Sequence, residues 1–173
     1  VMAYSSGNGH DIAYFSDLAD PNDSRTGVDT FTGRPLFSQL EGPGYRLYAR
    51  LFDEVHAESK YGLDIANLHG NANGAEFTGT ATEVRLSGTH SSGSYANHAR
   101  LFHEVNAFGT SDADKAVLTG AAVDLNTYSP PADVVLDELA QLLWLDNFEK
   151  IERWDSSKAD DVDNIDQVFA WWE

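Results

Sequence analysis

The chain repeats itself, and that constrains its fold more than any other feature. The stretch Tyr45–Ala57 returns fifty residues later as Tyr95–Ala107, with eight of thirteen positions identical and no gap. The shared residues are Tyr45/Tyr95, Ala49/Ala99, Arg50/Arg100, Leu51/Leu101, Phe52/Phe102, Glu54/Glu104, Val55/Val105 and Ala57/Ala107. A period near fifty predicts units that bury a common core by packing on one another. Such architectures usually serve as scaffolds or binding surfaces.

The similarity extends outward from this stretch. Asp11-Ile12-Ala13 matches Asp64-Ile65-Ala66, and Asp114 opens a comparable run. Phe31-Thr32-Gly33 matches Phe77-Thr78-Gly79, and Leu40-Glu41-Gly42 matches Leu86-Ser87-Gly88. Length differences fall in loop-like segments, around Ala19–Arg25 in the first unit and His90–Ser94 in the second, where Gly, Ser, Asn, Asp and Pro favour turns. A worn third unit follows: Phe148–Ile151 matches Phe52–Val55, and Asp160 stands where Asp64 would. Val1-Met2-Ala3 aligns with Val55-His56-Ala57. The expectation is therefore a piece of a longer array that begins inside a unit and lies near the array's carboxyl end.

Composition narrows the function classes. The 173 residues carry 28 acidic against 11 basic side chains, a formal charge of −17. That excess opposes nucleic-acid binding, which needs a cationic surface. It suits an extracellular or cell-surface protein bathed in salt or calcium, and equally a generic acidic surface that keeps a protein soluble. Cysteine is absent, so disulfides, thiolate metal sites and a cysteine nucleophile are excluded. An exported chain without disulfides points to a bacterial source. No apolar run reaches the roughly 18 residues that span a bilayer.

The predicted fold is mainly β. Up to residue 127, turn residues punctuate short apolar runs, and Glu83–Leu86 and Asp64–Leu68 alternate as strands do. About four short strands per unit suit a β-solenoid, parallel and β-helix-like, with an antiparallel β-sandwich as the alternative. In a solenoid, equivalent residues stack about 4.8 Å apart. Leu40 would then join Leu86, Phe52 would join Phe102 and Phe148, and Val55 would join Val105 and Ile151. The units are 1–10 (partial), 11–63, 64–113 and 114–127. Residues 128–173 form the degenerate third unit and a carboxyl-terminal helical cap, with amphipathic helices over 133–144 and near 162–172. A partner-binding helix is the competing reading of that last segment.

The Phe-x-x-Val pattern, followed by an acidic glycine-bearing loop and Asp-x-Ala, resembles the tandem repeats of very large secreted bacterial proteins, abundant in planctomycetes. It is more distantly similar to segments around RTX-type calcium-binding proteins, and Asn147–Ile151 is similar to their linking strand. The resemblance covers roughly residues 1–120, with an echo at 145–160. It implies an exported surface protein with a β-solenoid fold and no known chemistry. The Gly-Gly-x-Gly-x-Asp calcium nonapeptide is absent, so strict RTX calcium ladders do not carry over.

Candidate sites are few. The loop with Asp17, Asp20, Asn22, Asp23 and Asp29 gathers hard oxygen donors suited to calcium, although it lacks the EF-hand spacing, and a solvated loop is the plain alternative. The unit-opening Asp11, Asp64, Asp114 and Asp160 either accept hydrogen bonds at turns or share cations. Arg50 with Glu54, and Arg100 with Glu104, suggest surface ion pairs. Tyr45, Tyr48, Tyr95 and Trp154 could line a sugar groove. The six histidines show no common repeat position, and no catalytic set emerges. The expected function is a structural or adhesive repeat segment of a secreted or cell-surface protein. Its cofactor would be none or calcium, and its partners neighbouring repeats, a surface polysaccharide or another protein. The alternative is a β-helix carbohydrate-active enzyme or a carbohydrate-binding module.

Overall fold

Fourteen short strands lie in the residues that the computed structural model describes: 1–6, 9–17, 27–60, 62–80, 82–91, 93–110, 115–119, 142–146 and 150–154. In chain order they are β1 (Met2–Tyr4), β2 (Ile12–Ser16), β3 (Thr30–Gly33), β4 (Phe37–Gly42), β5 (Tyr45–Arg50), β6 (Glu54–Glu58) and β7 (Ile65–His69). They continue as β8 (Ala75–Gly79), β9 (Glu83–His90), β10 (Gly93–Arg100), β11 (Glu104–Phe108), β12 (Lys115–Thr119), β13 (Leu142–Asp146) and β14 (Lys150–Trp154). The protein is mainly β, and the described residues contain no helix.

Two sheets of seven strands share the chain. The first runs β1-β5-β4-β3-β7-β11-β13, the second β2-β6-β10-β9-β8-β12-β14. Both are mixed. The meanders β3-β4-β5 and β8-β9-β10 pair antiparallel, and every other pairing is parallel. The sandwich is therefore not antiparallel throughout, as the alternative reading required.

The two strand orders match when strands are shifted by five. β1, β5, β4, β3 and β7 in the first sheet correspond to β6, β10, β9, β8 and β12 in the second. These are the segments that the sequence similarity makes equivalent. A unit thus places its meander in one sheet, and the next unit places its meander in the other.

This alternation overturns the expected ladders. Leu40 lies in the first sheet opposite Phe31 and Leu47, whereas Leu86 lies in the second opposite Phe77 and Asn97. Val55 pairs with Ala13 and Asn97, while Val105 pairs with Ala66 and Leu143 and Ile151 with Ala116. Phe52 and Phe102 both sit at crossings, each leading toward a different sheet, and Phe148 lies outside the described residues. Sequence equivalents are not hydrogen-bonded neighbours, because the chain changes sheet three times from one copy to the next. The changes fall at β1–β2, β2–β3 and β5–β6 and again at β6–β7, β7–β8 and β10–β11, and an odd number of them puts the next copy in the other sheet.

The crossing itself is encoded twice. Leu51 and Leu101 have φ of 61° and 60°, a left-handed conformation that costs a branched side chain roughly 1–2 kcal/mol. Leu51 N–H donates to Leu36 O at 3.0 Å and Leu101 N–H to Thr82 O at 2.9 Å. The same bend therefore stands at the same place in both units. It also separates Arg50 from Glu54 and Arg100 from Glu104, so neither expected ion pair forms among the described residues; Arg100 lies 3.7 Å from Glu58 instead.

The core fills the space between the sheets. Phe31, Leu40, Leu68, Phe77, Leu86, Val105 and Ala107 are wholly buried. Rings from both sheets meet there: Phe15 and Phe31 centroids are 6.3 Å apart, Phe31 and Phe102 6.1 Å. One polar bridge crosses this core. Ser38 Oγ on β4 donates to Asn97 Oδ1 on β10 at 2.5 Å, and Asn97 Nδ2 donates to Arg34 O at 3.2 Å. Gly33 permits it, since a Cβ there would come within 2.8 Å of the Asn97 side chain.

The carboxyl-terminal expectation is corrected in part. Residues 142–144, assigned to a helix from sequence, begin strand β13, which pairs parallel with β11. Leu-Leu-Trp-Leu is apolar on every side, and periodicity cannot distinguish a buried strand from a helix in so short a run. The rest of that helix, residues 133–141, and the helix near 162–172 lie outside the described residues.

Candidate functional site

Two side-chain clusters stand out, one buried at an end of the sandwich and one on an outer face. The buried cluster arises where the chain leaves the second sheet for the first. Asp17 follows β2, Asp29 precedes β3 and Asp64 precedes β7. All three are buried, Asp64 completely, and their carboxylate oxygens lie within 4.8 Å of one another.

Protein donors hold this knot. Asp64 Oδ1 accepts the Asp29 N–H at 2.8 Å and Oδ2 accepts Ser59 Oγ at 2.7 Å. Asp17 Oδ2 accepts the Lys60 N–H at 2.8 Å, and Asp29 Oδ2 accepts the Tyr45 hydroxyl at 2.6 Å. Gly42 is required beside it, because any Cβ would fall inside the Asp29 carboxylate. The Ser-to-Asp bond recurs in the first unit, where Ser5 Oγ donates to Asp11 Oδ2 at 2.5 Å.

Three carboxylates this close resist simultaneous ionisation. Burial pushes Asp64 above the usual carboxylate range, with the neighbouring Asp29 and Asp17 charges adding to the effect against its hydrogen bonds. Burial also raises Asp29, opposed by the Tyr45 hydrogen bond and reinforced by Asp17. The knot therefore favours uptake of a positive charge, either a proton or a cation. Its donors are all hard oxygens.

The expected calcium loop meets this knot halfway. Asp17 and Asp29 converge there, while Asp20, Asn22 and Asp23 lie outside the described residues. The third member is Asp64, which the sequence marks through its recurrence at unit starts.

Three of the aromatic candidates are spread over both sheets, Tyr45 and Tyr48 on β5 of the first and Tyr95 on β10 of the second. Tyr45 is committed to Asp29, and Tyr48 stacks on Phe37 at 5.6 Å and lies 6.5 Å from Tyr4. Tyr95 is buried in the second sheet, 6.0 Å from His90, and Trp154 ends β14.

The second cluster was not legible in the histidine spacing. Parallel pairing sets Tyr14, His56 and His98 side by side on β2, β6 and β10. Their rings stack: Tyr14 on His56 at 5.0 Å, and His56 on His98 at 4.0 Å with 12° between planes. Glu54 sits against them. Its Oε2 is 3.0 Å from His56 Nε2 and 3.9 Å from His98 Nε2, and its Oε1 is 3.0 Å from His10 Nε2. The hydrogen bond with His56 chiefly holds Glu54 below its ordinary value. Tyr14, His56 and His98 border a groove of about 360 Å³ that also touches Lys60, Glu83 and Arg100.

No protein-family model, curated protein or solved structure matches the chain.

Proposed function

We propose that this chain is a structural repeat segment, a stretch of an array whose units alternate between two sheets in a secreted or cell-surface protein. The observation that carries this reading is where the recurring residues go. Ala49 and Ala99, Val55 and Val105, and Ala57 and Ala107 are all buried, and Leu51 and Leu101 make the same left-handed turn. Much of what the two units share is spent on packing and on crossing between sheets. What differs between them, the knot and the histidine cluster, occurs once among the described residues.

The open edges support neighbouring units as partners. β6 lies between β2 and β10, and β7 between β3 and β11. Their counterparts β1 and β2 carry only the second of these neighbours and end their sheets. Met2, Tyr4 and Tyr14 on those two strands are 67%, 61% and 74% exposed. A unit of the same kind seated there would supply a β2-type strand to β1 and a β3-type strand to β2, and would cover this apolar surface.

The excess of acidic groups favours an extracellular setting, where salt and calcium screen it. Calcium is the cation suited to the Asp17–Asp29–Asp64 knot there, where it would tie together the chain's passages between the sheets. The solenoid description and the resemblance to very large bacterial surface proteins belong with this reading.

Grafting tests it. Residues 64–104 joined ahead of Val1 would rebuild the missing neighbours, because Glu104 then precedes Val1 as it precedes Val105. The longer protein is expected to unfold in one transition with a higher midpoint than the original chain. A grafted unit that melts separately, or leaves the midpoint unchanged, refutes the array.

A further inference from the structure

Glu54, His56 and His98 have an arrangement that neither packing nor the array explains. His98 is 14% exposed, yet neither ring nitrogen has a hydrogen-bond partner. Its nearest polar neighbours are too far for one: Glu54 Oε2 lies 3.9 Å from Nε2 and Glu83 Oε1 lies 3.6 Å from Nδ1. Burying an imidazole with both nitrogens unmet costs free energy, and the residue needs a reason to be there.

We propose that Glu54, His56 and His98 are the protein ligands of a transition-metal site of the zinc class on the outer face of the second sheet. One ligand atom from each residue lies within 4.8 Å of the other two. Tetrahedral zinc with bonds of about 2.0–2.1 Å spaces its ligands roughly 3.3 Å apart. The separations of 3.0 and 3.9 Å from Glu54 Oε2 to the two imidazoles bracket that spacing. Two imidazoles and one carboxylate select zinc or its neighbours over calcium, which prefers an all-oxygen shell.

The surroundings suit the same ion. His10 holds the far oxygen of Glu54 at 3.0 Å, which fixes the direction of the carboxylate. Both rings would turn out of their parallel stack so that their in-plane lone pairs meet at one ion, and Glu83, beside Nδ1 of His98, would then accept that ring's N–H and aim Nε2 at the metal. Neither ring nitrogen of His98 is engaged by a protein donor, which leaves one to offer to an ion. At His56 the ion replaces the proton now shared between Nε2 and Glu54 Oε2. That proton moves to Nδ1 of the neutral ring or to solvent. Three protein ligands leave a fourth position, open to the groove, for water or an external donor.

Cobalt(II) reads out such a site directly, because a four-coordinate cobalt centre absorbs visibly. Titrating the untagged chain with cobalt should give one equivalent of visible absorption, which zinc then displaces. E54Q and H56Q should each weaken binding more than about 100-fold, and E83Q about 10-fold. H103Q, at an exposed turn away from the cluster, should bind as the original chain does. Circular dichroism checks that each variant is folded, and E54Q keeps the ring stack intact should H56Q not fold. Absence of the absorption in the unsubstituted chain overturns the proposal. So does an affinity that E54Q leaves unchanged.

Discussion

The polar bridge between the sheets makes a sharp energetic prediction. Ser38 and Asn97 are 1% and 2% exposed, and each closes the other's hydrogen bond across the core. Asn97→Ala removes two bonds, at about 1 kcal/mol each, and leaves the Ser38 hydroxyl buried and unmet at about 1–3 kcal/mol. The sum is roughly 3 kcal/mol, partly relieved if the hydroxyl rotates to a backbone carbonyl. For a chain of 173 residues that lowers the melting midpoint by about 6–12 °C. Ser38→Ala strands the Asn97 oxygen and costs about 2 kcal/mol. The double variant loses the same two bonds but strands neither the Ser38 hydroxyl nor the Asn97 oxygen, so it should cost about 2 kcal/mol, leaving a coupling of roughly 3 kcal/mol. Urea denaturation of the four proteins, followed by circular dichroism, measures the cycle. The aligned positions Val84 and Leu47 hold these places with apolar side chains, so Ser38→Val with Asn97→Leu should fall within about 1 kcal/mol of the original. Single costs that simply add, within about 0.5 kcal/mol, would refute the bridge as the reason these polar residues are buried.

Two further predictions concern charge. His69, stacked on Phe108 at 4.7 Å, is held at about 4, first by burial and then by Arg34. It therefore stabilises the fold above its unfolded value of 6.5, and that contribution, up to about 3 kcal/mol, is lost as pH falls toward 4. Urea midpoints compared between pH 7 and pH 4.5 should drop more in the original chain than in His69→Gln, and equal drops would refute the assignment. At the acidic knot the sign reverses. Asp29 and Asp64 are raised, so their contribution is fully present below 3.8 and is lost as pH rises through their folded values. Calcium should restore stability at neutral pH, and Asp64→Asn should blunt both effects. A melting midpoint that is the same in calcium and in chelator at neutral pH would leave the proton, not calcium, as the compensating charge.

Local strands were readable because alternation is local. Ile65–His69 and Glu83–Leu86 show their two faces in sequence, and β7 and β9 lie there. Neighbour relations were not readable in the same way. A sequence match identifies residues in similar surroundings, not residues in contact, and here equivalents fall in different sheets. The ladders join residues at other offsets: Ile12 with Glu54, Glu54 with Ala96 and Ile65 with Glu104. For that reason the histidine cluster escaped a search along the chain. His56 and His98 share no repeat position, yet pairing sets them side by side. The signal was available only once strand register was known. The acidic knot was half legible, since its oxygen-rich loop announced Asp17 and Asp29 and the recurring Asp announced Asp64. None of these signals said that the three would meet.

The exchange of sheets at each left-handed leucine has a consequence of parity. In a one-sided coil, gaining or losing a unit lengthens the array and leaves every decorated face pointing as before. In the proposed array an added unit would send all that follows to the other side, so a site such as the Glu54–His56–His98 cluster would change faces with each single duplication and return with the second. An array built this way can grow freely by pairs of units, while a single insertion turns its downstream half over.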